Sequence, residues 1–192
     1  MIIGVLLAAG GARRFGSQKL VAMIDGVPVV RRAFDVLAST TDAVVVVVGN
    51  EADAVARALE GTNAICVRND AWELGLSTSL VLGIGVASRM GEAAVVGLGD
   101  EPDVDSSVCL ALIEEWRRNK KSIVAARYNG VQDHPVLFDR AVFNELMSLE
   151  GDVGAKSVIS RSPERVAFVD VTGPQPIDVD EPGDLRRLEQ SK

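Results

Sequence analysis

From Leu7 to Leu20 the chain reads Leu7-Ala8-Ala9-Gly10-Gly11-Ala12-Arg13-Arg14-Phe15-Gly16-Ser17-Gln18-Lys19-Leu20, an apolar run that breaks into glycines and then carries three cations. Glycines let backbone N–H groups approach phosphate oxygens closely, and Arg and Lys neutralise the charge that remains. Residues of these types at this spacing point to phosphate binding. Two familiar patterns are excluded. Gly10, Gly11 and Gly16 do not form G-x-G-x-x-G, and Gly11 to Gly16 has P-loop spacing but Ser17 stands where Lys is required. A flexible turn with solvated cations is the plainer alternative; the coincidence of strand, glycines and cations favours phosphate.

Three further polar segments follow apolar runs: Asn69 to Ser79, Gly99 to Asp103, and Asp178 to Asp184. Asp100 comes directly after the apolar run Ala93 to Leu98. Mg²⁺ is held by one or two carboxylates together with phosphate oxygens and water, which makes Asp100 a candidate metal ligand. The same Asp-Glu-Pro-Asp stretch would also serve as a turn capping a helix that starts near Ser106. His134 is the only histidine, so a His-rich metal cluster and an H-E-x-x-H motif are both excluded. A Ser-His-Asp triad would have to use it. Its neighbour Asp133 is expected on the opposite face of a strand, and there is no G-x-S-x-G elbow. Trp72 either lines a cleft or packs under its loop, whereas Trp116 reads as helical core and the Arg117 to Lys121 cluster as a solvated helix end.

These segments need elements to position them. Ile2 to Ala8, Ala43 to Val48, Ala64 to Val67, Ala93 to Leu98, Ser122 to Ala126 and Val166 to Val171 read as strands, most of them continuously apolar as central parallel strands are. Helices are expected over Val29 to Ala38, Ala52 to Leu59, Thr78 to Ala87, Ser106 to Lys120, Arg140 to Leu149 and Pro182 to Gln190. Strand and helix in repeated alternation imply an α/β class, a single doubly wound domain over residues 1–192 with a mostly parallel sheet. Such sheets bind ligands beyond the carboxyl ends of their strands, where the four polar segments fall.

The composition agrees. The 192 residues are 47% hydrophobic and 24% charged, which fits an ordinary globular domain and not a disordered, collagenous or coiled-coil chain. Twenty Lys and Arg against 27 Asp and Glu leave a net charge of -7, which speaks against nucleic acid as a partner. No apolar run approaches the roughly 18 residues a bilayer span needs, and Met1 to Ala9 lacks a basic flank, so a cytoplasmic protein without a membrane partner is expected. Cys66 and Cys109 lie in apolar runs without C-x-x-C spacing and read as two reduced core thiols.

The opening segment resembles the signature of MobA-like nucleotidyltransferases, L-A-A-G-x-S-x-R-M-G-x-x-K-L, with Arg14, Gly16 and Lys19 on its fixed positions. Ala12 replaces the usual Ser, which removes one possible phosphate donor, and Phe15 replaces Met. The resemblance continues from about Ile3 to Leu188. Asn69-x-x-Trp72-x-x-Gly75-x-x-x-Ser79-Leu80 is similar to the second block, Gly99-Asp100-Glu101-Pro102 to the GDxP block, and His134-Pro135-Val136-Leu137-Phe138 to the HPVLF block. Gly151-Asp152-x-Gly154-Ala155 and Asp178-x-Asp180-x-Pro182-x-Asp184-Leu185 complete the series.

The resemblance implies a Rossmann-like nucleotidyltransferase fold with a nucleotide over the first loop. Leu7, Ala8, Ala9, Gly10, Gly11, Gly16, Gly75 and Ser79 would bind the nucleotide, and Arg14, Lys19 and Asp100 would be catalytic. Asp100 and Asp180 would hold Mg²⁺, and His134 and Asp152 would contact the acceptor. Asp180 has a second reading as the cap of the helix at Pro182, Ser79 as a helix cap, and His134 as a structural group near the sheet edge. Ala9 stands where the guanylyltransferase branch has LAGG, so the features resemble the cytidylyltransferase branch: CTP as donor, a molybdopterin-type acceptor, and a molybdenum hydroxylase as client. Competing expectations are a GTP- or sugar-phosphate-using nucleotidyltransferase, a nicotinamide-dependent oxidoreductase, and a non-catalytic cofactor carrier. The missing G-x-G-x-x-G and the lack of an acidic residue ending the second strand oppose the oxidoreductase.

Overall fold

The computed structural model describes residues 1–11, 15, 18–151 and 154–190. In chain order the strands and helices are β1 (Ile2–Ala8), β2 (Met23–Ile24), β3 (Val27–Pro28), α1 (Val29–Ala38), β4 (Ala43–Val48), α2 (Ala52–Ala58), β5 (Ile65–Arg68) and α3 (Leu76–Ala87). There follow β6 (Ala93–Leu98), α4 (Ser106–Asn119), β7 (Ile123–Tyr128), β8 (Val131–Asp139), α5 (Phe143–Met147), α6 (Lys156–Arg161), β9 (Val166–Val171) and α7 (Pro182–Gln190). Seven strands form one sheet in the order β5-β4-β1-β6-β8-β7-β9, and β2 and β3 make a separate two-stranded ribbon. All pairings within the large sheet are parallel except those of β8, which runs antiparallel to both β6 and β7.

The sheet buries both faces because its strands are apolar on both. Along β1, Ile2, Leu6 and Ala8 join one core cluster with Phe34 and Leu37 of α1 and Leu112 and Trp116 of α4. Ile3, Val5 and Leu7 join the other with Leu80 and Ile84 of α3 and Phe143 and Leu146 of α5. Alternation with period two sends successive residues to opposite layers, so a strand covered on both sides must be apolar throughout. Trp116 is buried as expected and donates its indole N–H to Asp139 Oδ2 at 2.9 Å.

Three expectations are corrected. β8 is not among the strands that apolar runs mark, because its first half, Val131 to Pro135, is mostly polar and contains a proline; it lies inside the sheet, so His134 is not at an edge. Asp133 and His134 do not face opposite ways. The β7–β8 register jumps from Ala125↔Val136 to Ala126↔Asp133, a bulge that leaves His134 and Pro135 out of the ladder and turns both polar side chains to one place. Cys66 is exposed because β5 is an edge strand, whereas Cys109 is buried. No helix among the described residues is long and apolar enough to cross a membrane.

Candidate active site

Strand order reverses between β1 and β6, whose neighbours lie in opposite directions, and this is the position where open α/β sheets bind ligands. The two strand ends are locked together there: Gly99 donates its N–H to Leu7 at 2.9 Å, and a Cβ on Gly99 would stand 3.2 Å from that same carbonyl oxygen. The crevice beyond them is a pocket of ≈ 150 Å³ lined by Leu7, Ala8, Ala9, Gly10, Lys19, Leu20, Leu76, Ser79, Leu98 and Asp100. Seven of the residues singled out from sequence therefore meet in one pocket.

Lys19 opens a short 3₁₀ turn, Lys19–Val21, whose first residues are fixed by Gln18. The buried Gln18 side chain accepts from the Leu20 N–H and donates to the Asn50 carbonyl at 2.8 Å, while Leu20 enters the core. Lys19 is thereby held 8% exposed, with its ammonium 2.7 Å from Asp100 Oδ2 and 2.8 Å from Asp180 Oδ1. Burial opposes its charge, but the field of Asp100 and the hydrogen bonds it donates to both carboxylates prevail, so its pKa lies above the ordinary lysine value.

Asp180 arrives by an extended segment. Val179 is fully buried in the core and donates its N–H to the Asp100 carbonyl at 2.9 Å. Asp184, in the first turn of α7, accepts at Oδ2 from the N–H groups of Asp180 and Glu181 at 3.0 and 2.8 Å and so secures the segment that brings Asp180 to Lys19. Asp178, which sequence reasoning placed in the segment but gave no role, titrates above its usual range because it is partly buried and near Asp100, Asp180 and Asp133.

On the opposite wall, Ser79 lies in the first turn of α3 and accepts from Asn69 Nδ2 at 2.9 Å. Asn69, buried, also donates to Thr78 and accepts from the Ala71 N–H, so it fixes the loop before α3. Gly75 takes φ +120 at the start of that helix and does not line the pocket. Gly11 also lies outside the lining; a Cβ there would stand 3.1 Å from the Trp72 ring, so Trp72 packs against Gly11. Arg14, Gly16 and Asp152 lie outside the described residues.

His134 is not in the pocket. Its Nδ1 lies 3.6 Å from Asp133 Oδ1 and 3.7 Å from Glu101 Oε1. Burial would depress its pKa, but the two carboxylates outweigh burial and raise it to about 9. Glu101, which carries no role by motif, is the residue of this group that the sequence does not single out. The signal was there: it is the second carboxylate in a row after a buried strand.

A crevice at the switch point, with a buried lysine held between two carboxylates, makes this an open α/β protein with a ligand site beyond its strand ends. The chain belongs to the MobA-like NTP transferase domain family, whose model matches residues 4–166. It is 30% identical to Rv0371c from Mycobacterium tuberculosis H37Rv, with 99% of this chain and 97% of that one covered at a TM-score of 0.85. A structure of Rv0371c in complex with manganese superposes at 0.81 with 30% identity, covering 100% and 99% of the two chains. Mth528, a nucleotidyl transferase from Methanothermobacter thermautotroptrophicus, shares the fold at 23% identity and a TM-score of 0.82, with 99% and 96% covered. A search of curated proteins finds no match. The protein is thus an NTP-using nucleotidyltransferase.

Proposed function

We propose that the enzyme transfers CMP from CTP to the phosphate of a molybdopterin-type acceptor and releases pyrophosphate. The carrying observation is the convergence of Asp100 and Asp180 on Lys19 at the pocket lined by Leu7 to Gly10 and Ser79. Two carboxylates facing one cation position form a hard oxygen donor set that suits Mg²⁺, and the ammonium now between them stands in for such an ion. The manganese complex of Rv0371c supports divalent-cation use. Asp100 and Asp180 would hold the metal, which when bound supplies charge neutralisation along the triphosphate.

The chain's own residues carry the rest. The glycine loop accepts the triphosphate, and Lys19, kept protonated, meets charge growing on the α-phosphate and the departing group, with Arg14 assigned to the same role. An acceptor phosphate oxygen bonds to the α-phosphorus as the bridging P–O bond breaks, and pyrophosphate leaves with its electron pair. A phosphomonoester is mostly dianionic at neutral pH, so no general base is needed, in accord with the pocket's lack of histidine. Gly11, Gly16 and Gly75 are assigned to shaping the nucleotide site, and His134 and Asp152 to the acceptor end. Ala9 lines the pocket where the guanylyltransferase branch has glycine, which supports the smaller pyrimidine. The reading treats residues 1–192 as one domain, supported by the segment past residue 166 that supplies Asp180.

The test is thermal unfolding with CTP, GTP, ATP, UTP or NAD, each with and without Mg²⁺. A ligand at 100 times its Kd adds about 2.7 kcal/mol, so a CTP-selective, Mg²⁺-dependent rise of several degrees is expected. A shift with NAD alone, or none with any nucleotide, overturns the reading.

A further inference from the structure

The turn after β6 carries two consecutive carboxylates. The Glu101 side chain is 3% exposed, and among the described residues its Oε2 has no hydrogen-bond partner; the buried Nδ1 of His134 has none there either. A buried carboxylate oxygen without a donor bears a desolvation cost that nothing offsets, and such an atom signals a missing water or ion. The other carboxylate oxygen of Glu101, Oε1, faces the orphaned Nδ1 of His134. One ligand atom each from Glu101, Asp133 and His134 lies within 4.8 Å of the others, at 3.6 and 3.7 Å from the imidazole nitrogen. Those separations are too long for hydrogen bonds. They are close to the spacing of about 3.4 Å expected of donors set tetrahedrally about 2.1 Å from one ion.

We propose that Glu101, Asp133 and His134 form a site for a divalent transition-metal ion of the Mn²⁺, Fe²⁺ or Zn²⁺ class, separate from the cation position between Asp100 and Asp180. One imidazole nitrogen with two carboxylate oxygens selects these ions over Mg²⁺ and Ca²⁺, which take oxygen alone. Charge agrees: two carboxylates, a neutral imidazole and a dication sum to zero, the imidazole releasing its proton to solvent as the ion binds. The ligands are also oriented from outside. Asp133 accepts from the His134 backbone N–H and from Gln175 Nε2, both at 2.9 Å, the second layer of hydrogen bonds that metal carboxylates use. Asp133 and His134 are 23% and 21% exposed at their side chains, which gives an ion a way in. The ion would tie the β8 bulge to the turn that carries Asp100, and it leaves Nε2 of His134 for the acceptor.

The test uses the tag-free full-length chain, stripped with chelator and titrated with Mn²⁺ alone. Because the chain holds a single histidine, nitrogen coupling in the pulsed EPR of bound Mn²⁺ that changes on ¹⁵N-histidine labelling must come from His134. We expect that coupling in the wild type and in an Asp100→Asn/Asp180→Asn variant. Mn²⁺ affinity should fall at least tenfold in His134→Gln and in the near-isosteric Glu101→Gln. Bound Mn²⁺ without imidazole coupling, no tight Mn²⁺ at all, or unchanged affinity in Glu101→Gln overturns the site. The labelling readout alters no residue, so a variant that fails to fold leaves the test intact. No nucleotide is present, so failure of the CTP reading is a separate result.

Discussion

Asp100 and Glu101 are adjacent in sequence, yet they end in opposite electrostatic situations. Asp100 faces the crevice, meets a lysine ammonium at 2.7 Å and shares it with Asp180. Glu101 turns inward beneath β8, where the nearest cationic group is a histidine too far away to hydrogen-bond. Burial accordingly pushes the Glu101 carboxyl above its usual pKa despite the neighbouring histidine. The difference teaches how the two centres are balanced: the first contains its own cation, while the second has no cationic group within hydrogen-bond distance among the described residues.

The largest separation of the two should come from Lys19→Ala. Without the ammonium, charge on the α-phosphate and leaving group loses a preorganised partner, and removal of one such donor typically costs about 10²- to 10³-fold in turnover. Folding should suffer less, because Asp180 is half exposed and Asp100 is partly open to water, so solvent screens the carboxylates left behind. Steady-state kinetics beside a melting curve checks this. Equal losses of activity and stability would reduce Lys19 to a structural tie.

Much of the first centre was legible in sequence, and the reason is physical. Continuous apolar runs such as Ile2 to Ala8 and Ala93 to Leu98 mark strands covered on both faces, and in a parallel sheet the loop at the carboxyl end of such a strand borders the crevice. Lys19 and Asp100 were accessible by that logic, and Asp180 through the resemblance, since it lies nine residues past the partly exposed edge strand β9. The second centre was not, because it depends on β8. That strand runs antiparallel, opens with polar residues and contains a bulge, so periodicity neither announces it nor predicts the side to which Asp133 and His134 point. The expected helix Arg140 to Leu149 likewise shortened to Phe143–Met147, because Asp139 caps a 3₁₀ turn over Arg140–Val142 first. The edge position of Cys66 comes from strand order, which a lone apolar run does not encode.

A second variant sharpens the comparison by acting on position alone. Val179 carries Asp180 to Lys19 through a buried side chain and a backbone hydrogen bond to Asp100. Val179→Ala keeps the hydrogen bond and removes packing, which should destabilise the fold by about 1–2 kcal/mol. Turnover should then require several-fold more Mg²⁺, as one carboxylate is less firmly aimed. Urea unfolding and a Mg²⁺ titration of activity measure the two effects. A loss of stability with unchanged Mg²⁺ dependence would separate Asp180 from the metal.

The matching variant at the second centre is Gln175→Ala. Gln175 is exposed and touches Asp133 through one hydrogen bond, so its removal leaves the core intact. If Asp133 ligates an ion, this bond orients a ligand, and removing such outer partners typically weakens metal affinity by about tenfold or more. Mn²⁺ binding to the nucleotide-free protein should therefore weaken about tenfold while turnover at saturating Mg²⁺ stays within about twofold of wild type. The opposite outcome, intact Mn²⁺ affinity with impaired turnover, would place Asp133 and Gln175 in the Asp100 centre. The turn after β6 would then serve one site instead of two.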